Sequence, residues 1–313
     1  MPRPLPQDHP PFDALPVRYI TVGRGRARIA VHVAGRIDEG ALPVICVPGY
    51  QRNMSDFADF IGQLHRQLEA DWPVVLIDLQ GRGRSTDRPC RQSYLSTSDA
   101  EDVAAVADAL GIASAVLLGQ GHGGQVLMAL SALRPLLNAG TVLIDAGPRS
   151  DPRGLVRLRN NLNDIGSLRG ETAFRRMTRQ MLATDYPSAT EQLLDRLALR
   201  THFLDRRRRV RELFDPRLLQ MLEGFEHDDI LVAQWPLFAG LGTAPLLLMR
   251  TQRTDQLRRE IFEEMMRRRR DTEGYVIDGQ GSPALLDNAD DVRPIATFIR
   301  KVRLWTQRFG NAA

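Results

Sequence analysis

Residues 115–124 read Ala-Val-Leu-Leu-Gly-Gln-Gly-His-Gly-Gly. The first four form a continuous apolar run, the pattern of a strand buried on both faces, and Gly119, Gly121, Gly123 and Gly124 mark a tight turn. Helical spacing resumes behind the turn and continues to about residue 137. One reading of the glycines is the dinucleotide fingerprint G-x-G-x-x-G at Gly119, Gly121 and Gly124. It follows a strand and opens a helix, and Asp145 ends the next strand, where a ribose-binding acid belongs. Against it, such a unit usually starts its domain, whereas two buried strands precede this one.

Working outward, residues 17–22 and 27–33 read as a hairpin around Gly23-Arg-Gly25. The apolar runs 43–47 and 73–78 read as buried strands, separated by a helix that Ser55 caps and that runs to about residue 68. A helix over 99–110, the strand 115–118, the helix behind it and a strand over 141–145 continue the alternation. Residues 151–235 then show helical periodicity and no convincing strand, which predicts an inserted helical cap. Strands return at 244–249 and 274–278, and an amphipathic helix over 290–305 closes the chain. The predicted domains are a proline-rich extension 1–16, a core 17–150, the cap 151–235 and the rest of the core, 236–313. Strands and helices alternating in this way predict an α/β fold with a mostly parallel central sheet and helices on both faces.

Composition narrows the function classes. The 313 residues carry a formal charge of +4, and Lys301 is the only lysine. The arginine runs 206–209 and 267–270 are flanked by Asp205, Glu212, Glu263, Glu264 and Asp271, so they read as solvated helix faces and not as a nucleic-acid surface. Two cysteines, Cys46 and Cys90, supply neither a disulfide framework nor a zinc site. His227-Asp228-Asp229 lacks a third ligand at a metal-binding spacing. The N-terminus has no apolar signal-peptide core and no stretch is long enough to span a membrane, so the expected location is cytoplasmic.

Four motifs, in order, carry a resemblance: Val47-Pro-Gly-Tyr-Gln-Arg-Asn53, Asp78-Leu-Gln-Gly-Arg-Gly-Arg-Ser85, the glycine turn 119–124, and Ser282-Pro-Ala-Leu-Leu286. Together they resemble the α/β-hydrolase-fold superfamily, its esterase and epoxide-hydrolase-like members in particular. The resemblance implies an α/β-hydrolase fold, no cofactor and a Ser-His-acid site on a strand-to-helix elbow, G-x-S-x-G. The residue at the nucleophile's place is Gly121. The histidine's place falls in Gly279-Gln-Gly-Ser-Pro283, with Gly281 the best match and Ser282 one step away. Asp255 occupies the acid's place, with a helix N-cap as its bland alternative. The backbone N–H groups of Tyr50 and His122 match the oxyanion hole, which does not depend on side chains.

The histidines are His9, His32, His65, His122, His202 and His227, so none follows residue 227. Nucleophile and base are therefore both missing, a loss that in a triad enzyme costs about 10⁶ in turnover. Glycine also relieves an elbow strain of about 1–3 kcal/mol. The expected protein is a degenerate, non-catalytic pseudoenzyme that binds a small apolar ligand bearing a carbonyl or carboxylate. Its macromolecular partner is a second copy or an active enzyme, and neither nucleic acid nor membrane is expected. The alternative is a hydrolase or lyase using nonstandard groups: His122 as substitute base, or the cap histidines His202 and His227 with Asp255.

Overall fold

A computed structural model describes residues 5–6, 9–23, 27–38 and 42–309. Eight strands form one sheet: β1 (Arg18–Val22), β2 (Ala27–Ala34), β3 (Val44–Val47), β4 (Val74–Ile77), β5 (Ala115–Gln120), β6 (Asn138–Ile144), β9 (Leu246–Thr251) and β10 (Glu273–Ile277). The intervening β7 (His202–Leu204) and β8 (Val210–Glu212) form a separate hairpin. The order across the sheet is β1-β2-β4-β3-β5-β6-β9-β10. β2 is antiparallel to both of its neighbours and every other pair is parallel. The strands of the β1–β2 hairpin are present, while Arg24 and Gly25 of its turn lie outside the described residues.

Alternation along β3 shows how the sheet is covered. Val44 and Cys46 pack into one apolar cluster with α1 (Ala58–Leu68) and α10 (Ala289–Phe309), and Ile45 and Val47 into another with α2 (Ser96–Ala109) and α3 (His122–Leu133). Both faces of a parallel sheet are thereby buried, as its unbroken apolar strands require. Gly119 of β5 stands between Val47 of β3 and Leu143 of β6, which puts the glycine turn at the centre of the sheet's C-terminal edge. No helix among the described residues is long and apolar enough to cross a membrane.

Between β6 and β9 the chain leaves the sheet and builds α4 (Pro152–Ser167), α5 (Glu171–Asp185), α6 (Glu191–Leu199), the β7–β8 hairpin and α7 (Arg217–Gln220). The chain returns through α8 (Trp235–Ala239), and α9 (Arg259–Arg268) links β9 to β10. The hairpin corrects the all-helical expectation. Its strands have three residues each, too short for alternation to register, and Asp205 closes the turn by accepting from Arg207 N and Arg209 N. The arginine run 206–209 is this turn and not a helix face. Local boundaries also shift: Asn53, not Ser55, caps the first helical turn by accepting from Ser55 N at 3.0 Å, and α3 stops at Leu133 ahead of Pro135. In the N-terminal extension, Phe12 packs against Phe203 and Leu213 of the cap, whereas Leu15 packs into the core cluster under the sheet.

Candidate functional site

Gly121 sits at φ 52°, ψ −118°, between the end of β5 and the start of α3. Its N–H donates to Ile144 O at 2.8 Å and its carbonyl accepts from Gly124 N at 3.0 Å, which fixes the sharp bend. The neighbouring glycines serve packing. A Cβ on Gly123 would lie 2.2 Å from Val47 O, and one on Gly119 would lie 2.6 Å from Gly124 N. A Cβ on Gly121 would instead meet Gln256 Oε1 at 2.3 Å, the end of a flexible side chain, with nothing else closer than 3.5 Å.

His122 begins α3 and its Nε2 pairs with Asp99 Oδ2 of α2 at 3.1 Å. Asp99 is fully buried. Burial alone would raise its pKa, but Arg82, His122 and Arg88 together hold the carboxyl well below the usual range. Arg82 is the hub of this network: Nη2 lies 3.2 Å from Asp99 Oδ2, Nε donates to Tyr50 O at 2.8 Å, and Nη1 donates to Gln80 O at 2.7 Å. One buried guanidinium thus ties the loop carrying Tyr50 to the pair that orients His122. The Tyr50 ring meets the His122 ring edge-on at 5.3 Å, and its hydroxyl, pushed up to about 12 by burial, donates to Leu218 O. Among the described residues neither Tyr50 N nor His122 N donates to a backbone or side-chain acceptor.

At the places expected for the acid and the histidine, the helix-cap alternative for Asp255 does not hold. Asp255 is not a helix cap, because α9 begins at Arg259 behind Arg258; instead its carboxylate accepts from Arg157 Nε of the cap. Arg157 Nη1 also donates to Asp185 Oδ1 at 3.0 Å, so one arginine clamps α4 between α5 and the β9–α9 loop. Gly281 donates its N–H to Asp185 O at 2.7 Å, and a Cβ there would lie 2.8 Å from Asp185 Cβ. Ser282 takes a different direction, toward the Asp145 carboxylate, whose charged form it favours. Asp145 Oδ1 and Oδ2 accept from Thr251 N at 2.8 Å and Thr251 Oγ1 at 2.7 Å. Full burial raises the Asp145 carboxyl to about 6 in spite of these donors, and its φ of 50° is rare for a residue with a side chain.

Sequence reading singled out Asp145 only as a ribose ligand, a task for which its carboxylate is not free. It missed Asp99, Arg82 and Arg157 altogether. The pairs Arg82–Asp99, Asp99–His122 and Arg157–Asp255 join residues 17, 23 and 98 apart along the chain, and no local pattern encodes such pairs.

These groups surround a cavity of about 510 Å³ between sheet edge and cap. Leu158, Leu162, Ile165, Met181 and Leu182 supply an apolar wall from the cap, and Gly121, His122, Asp145, Gln256 and Ser282 line the sheet side. Of the two cap histidines, His202 lines the cavity and is fully buried, with burial and the nearby Arg52 charge lowering its pKa to about 3. His227 is exposed and does not line it. No cluster of three metal-ligating side chains occurs among the described residues.

Similarity to known proteins agrees with this architecture. An alpha/beta hydrolase from Novosphingobium aromaticivorans matches with a TM-score of 0.78 and 28% identity, over 92% of this chain and 99% of that one. A "Serine hydrolase-like protein" of Danio rerio is 30% identical over 125 residues, 39% of this chain and 37% of that protein. A 2-hydroxy-6-oxononadienedioate/2-hydroxy-6-oxononatrienedioate hydrolase of Klebsiella pneumoniae is 28% identical over 138 residues, 44% of this chain and 47% of that one. The aligned stretches therefore span between about a third and a half of those curated relatives. The alpha/beta hydrolase family model matches residues 44–295, well over half of the chain, and the protein belongs to that family.

Proposed function

We propose that this chain is a non-catalytic member of its family that binds a small, mostly apolar molecule carrying a carbonyl group. The observation that carries the reading is Gly121: the elbow keeps its bend, at φ 52°, yet no nucleophilic side chain stands where a Cβ would face Gln256 and the cavity. We assign the histidine's place to Ser282, because a side chain on Gly281 would run into Asp185, whereas Ser282 reaches a buried acid, Asp145. Hydroxyls cannot act as bases near neutral pH, so this Ser–Asp pair does not replace an imidazole. The unengaged N–H groups of Tyr50 and His122 are the donors for the ligand's carbonyl oxygen. A homo-oligomer or a partner enzyme remains the reading for its macromolecular contacts.

The test is a thermal-shift screen of the purified protein against esters, lactones and carboxylic acids. Saturable stabilisation by at least one class is expected, since a ligand at 100 times its Kd adds about 2.7 kcal/mol. Failure of every class contradicts a retained binding cavity. The second reading, an enzyme with nonstandard groups, is favoured by one observation: Asp99 orients His122, whose ring lines the cavity. It predicts turnover that disappears in His122→Ala.

A further inference from the structure

Two buried polar atoms of residues lining the cavity have no partner: Gln120 Oε1 and His202 Nε2. Their residues are 2% and 1% exposed. The Gln120 amide is oriented by Nε2 donating to Ala284 O at 3.2 Å, which leaves its oxygen as the bare atom. At His202, the Thr201 hydroxyl has a single hydrogen and two contacts, Ala198 O at 3.4 Å and His202 Nδ1 at 2.9 Å. Both are hydrogen bonds at once only if the hydroxyl donates to the carbonyl and Nδ1–H donates to the hydroxyl oxygen. That tautomer makes Nε2 a lone-pair acceptor. Burial in a cage with Phe174 and Phe214, assisted by the Arg52 charge, keeps the ring neutral.

Two buried acceptors without donors are costly unless something in the cavity meets them. We infer that the ligand is an uncharged donor of hydrogen bonds: a carboxamide or similar carbonyl compound bearing N–H, placed on Gln120 Oε1, with a second donor such as a hydroxyl reaching His202 Nε2. The inference rests on the ligand-binding reading above and specifies its ligand. Gln120 and His122 flank Gly121, so an acceptor and the His122 N–H donor come to the same end of the cavity, complementary to the N–H and C=O of one amide. A carboxylate is a poorer match. Four aspartates against three arginines line the cavity, and two of those arginines are already paired, Arg157 with Asp185 and Asp255, and Arg52 with Asp56.

The experiment is calorimetric titration of the full chain with octanamide, methyl octanoate, octanoate and 8-hydroxyoctanamide. Octanamide is expected to bind at least about tenfold tighter than the ester or the acid, the size of one well-made buried hydrogen bond. The hydroxyl is expected to add about threefold or more, a gain lost in His202→Phe, where the two amides are expected to bind alike. Gln120→Met is expected to level amide and ester; the ligand comparison on the unaltered chain decides the matter even if that variant does not fold. Ester or acid binding as tightly as the amide overturns the donor requirement and leaves the cavity reading standing. If none of the four compounds binds, both fall, and a hydroxyl that brings no gain overturns the His202 contact.

Discussion

A Cβ at Gly121 would press only on the end of Gln256, whereas one at Gly123 would press on the backbone oxygen of Val47. Gly121→Ser is therefore expected to fold and to lose about 1–3 kcal/mol, the strain of a side chain at that φ, as measured by urea unfolding. Gly123→Ala is expected to lose clearly more, because the backbone of β3 cannot yield as a glutamine can. Equal losses would show that the elbow is no more open than its neighbours. Gly121 was legible because a strand, a glycine turn and a helix are contiguous in the chain. Asp145 was not, since its burial, positive φ and bonds to Thr251 arise only when β6 and β9 meet, and its nearness to Ser282 only when the β10–α10 loop joins them. Its carboxyl is raised from 3.8 to about 6, so between those values the folded chain keeps a proton that the unfolded chain has lost. That contribution is complete below pH 4 and gone once the pH has risen through 6. Asp145→Asn, which retains an acceptor and a donor for Thr251, should gain stability relative to the native chain, on the order of 1–3 kcal/mol, between pH 4 and 7. A flat difference would contradict it.

Between elements, two arginines do unlike work. Arg82 is fully buried and joins the loop after β4 to the Tyr50 loop and to α2 through Asp99. Removing one partner of a buried pair leaves the other uncompensated, so Arg82→Met is expected to cost about 3–5 kcal/mol in chemical denaturation. Arg157 is about a third exposed, and its pairs with Asp185 and Asp255 are partly screened. Arg157→Gln should cost under about 1 kcal/mol globally while opening the cap, read as faster limited proteolysis within 152–200 and an unchanged core. The periodicity of β3, β4, β5 and β9 was visible because these strands are buried on both faces and so are unbroken apolar runs. The β7–β8 hairpin was invisible because three-residue strands carry no period, and its stability comes from Phe203 and Val210 packing into separate apolar clusters.

Across the molecule, the sheet holds the Gly121 elbow and the cap encloses the space above it, with His202 fully buried in the cap. A buried neutral histidine makes the native state sensitive to acid. Its pKa falls from 6.5 to about 3, so its contribution is present above pH 6.5 and is lost as the pH drops toward 3, where only the unfolded chain has taken up the proton. The native chain should therefore lose stability over that window more steeply than His202→Phe, measured by thermal unfolding at stepped pH. The central claim, a hydrolase scaffold that no longer activates water, is tested most directly by p-nitrophenyl butyrate hydrolysis with the native chain beside His122→Ala. The account predicts the same rate for both, about 10⁶-fold below that of a triad enzyme. Saturable turnover by the native chain that vanishes in His122→Ala would contradict it.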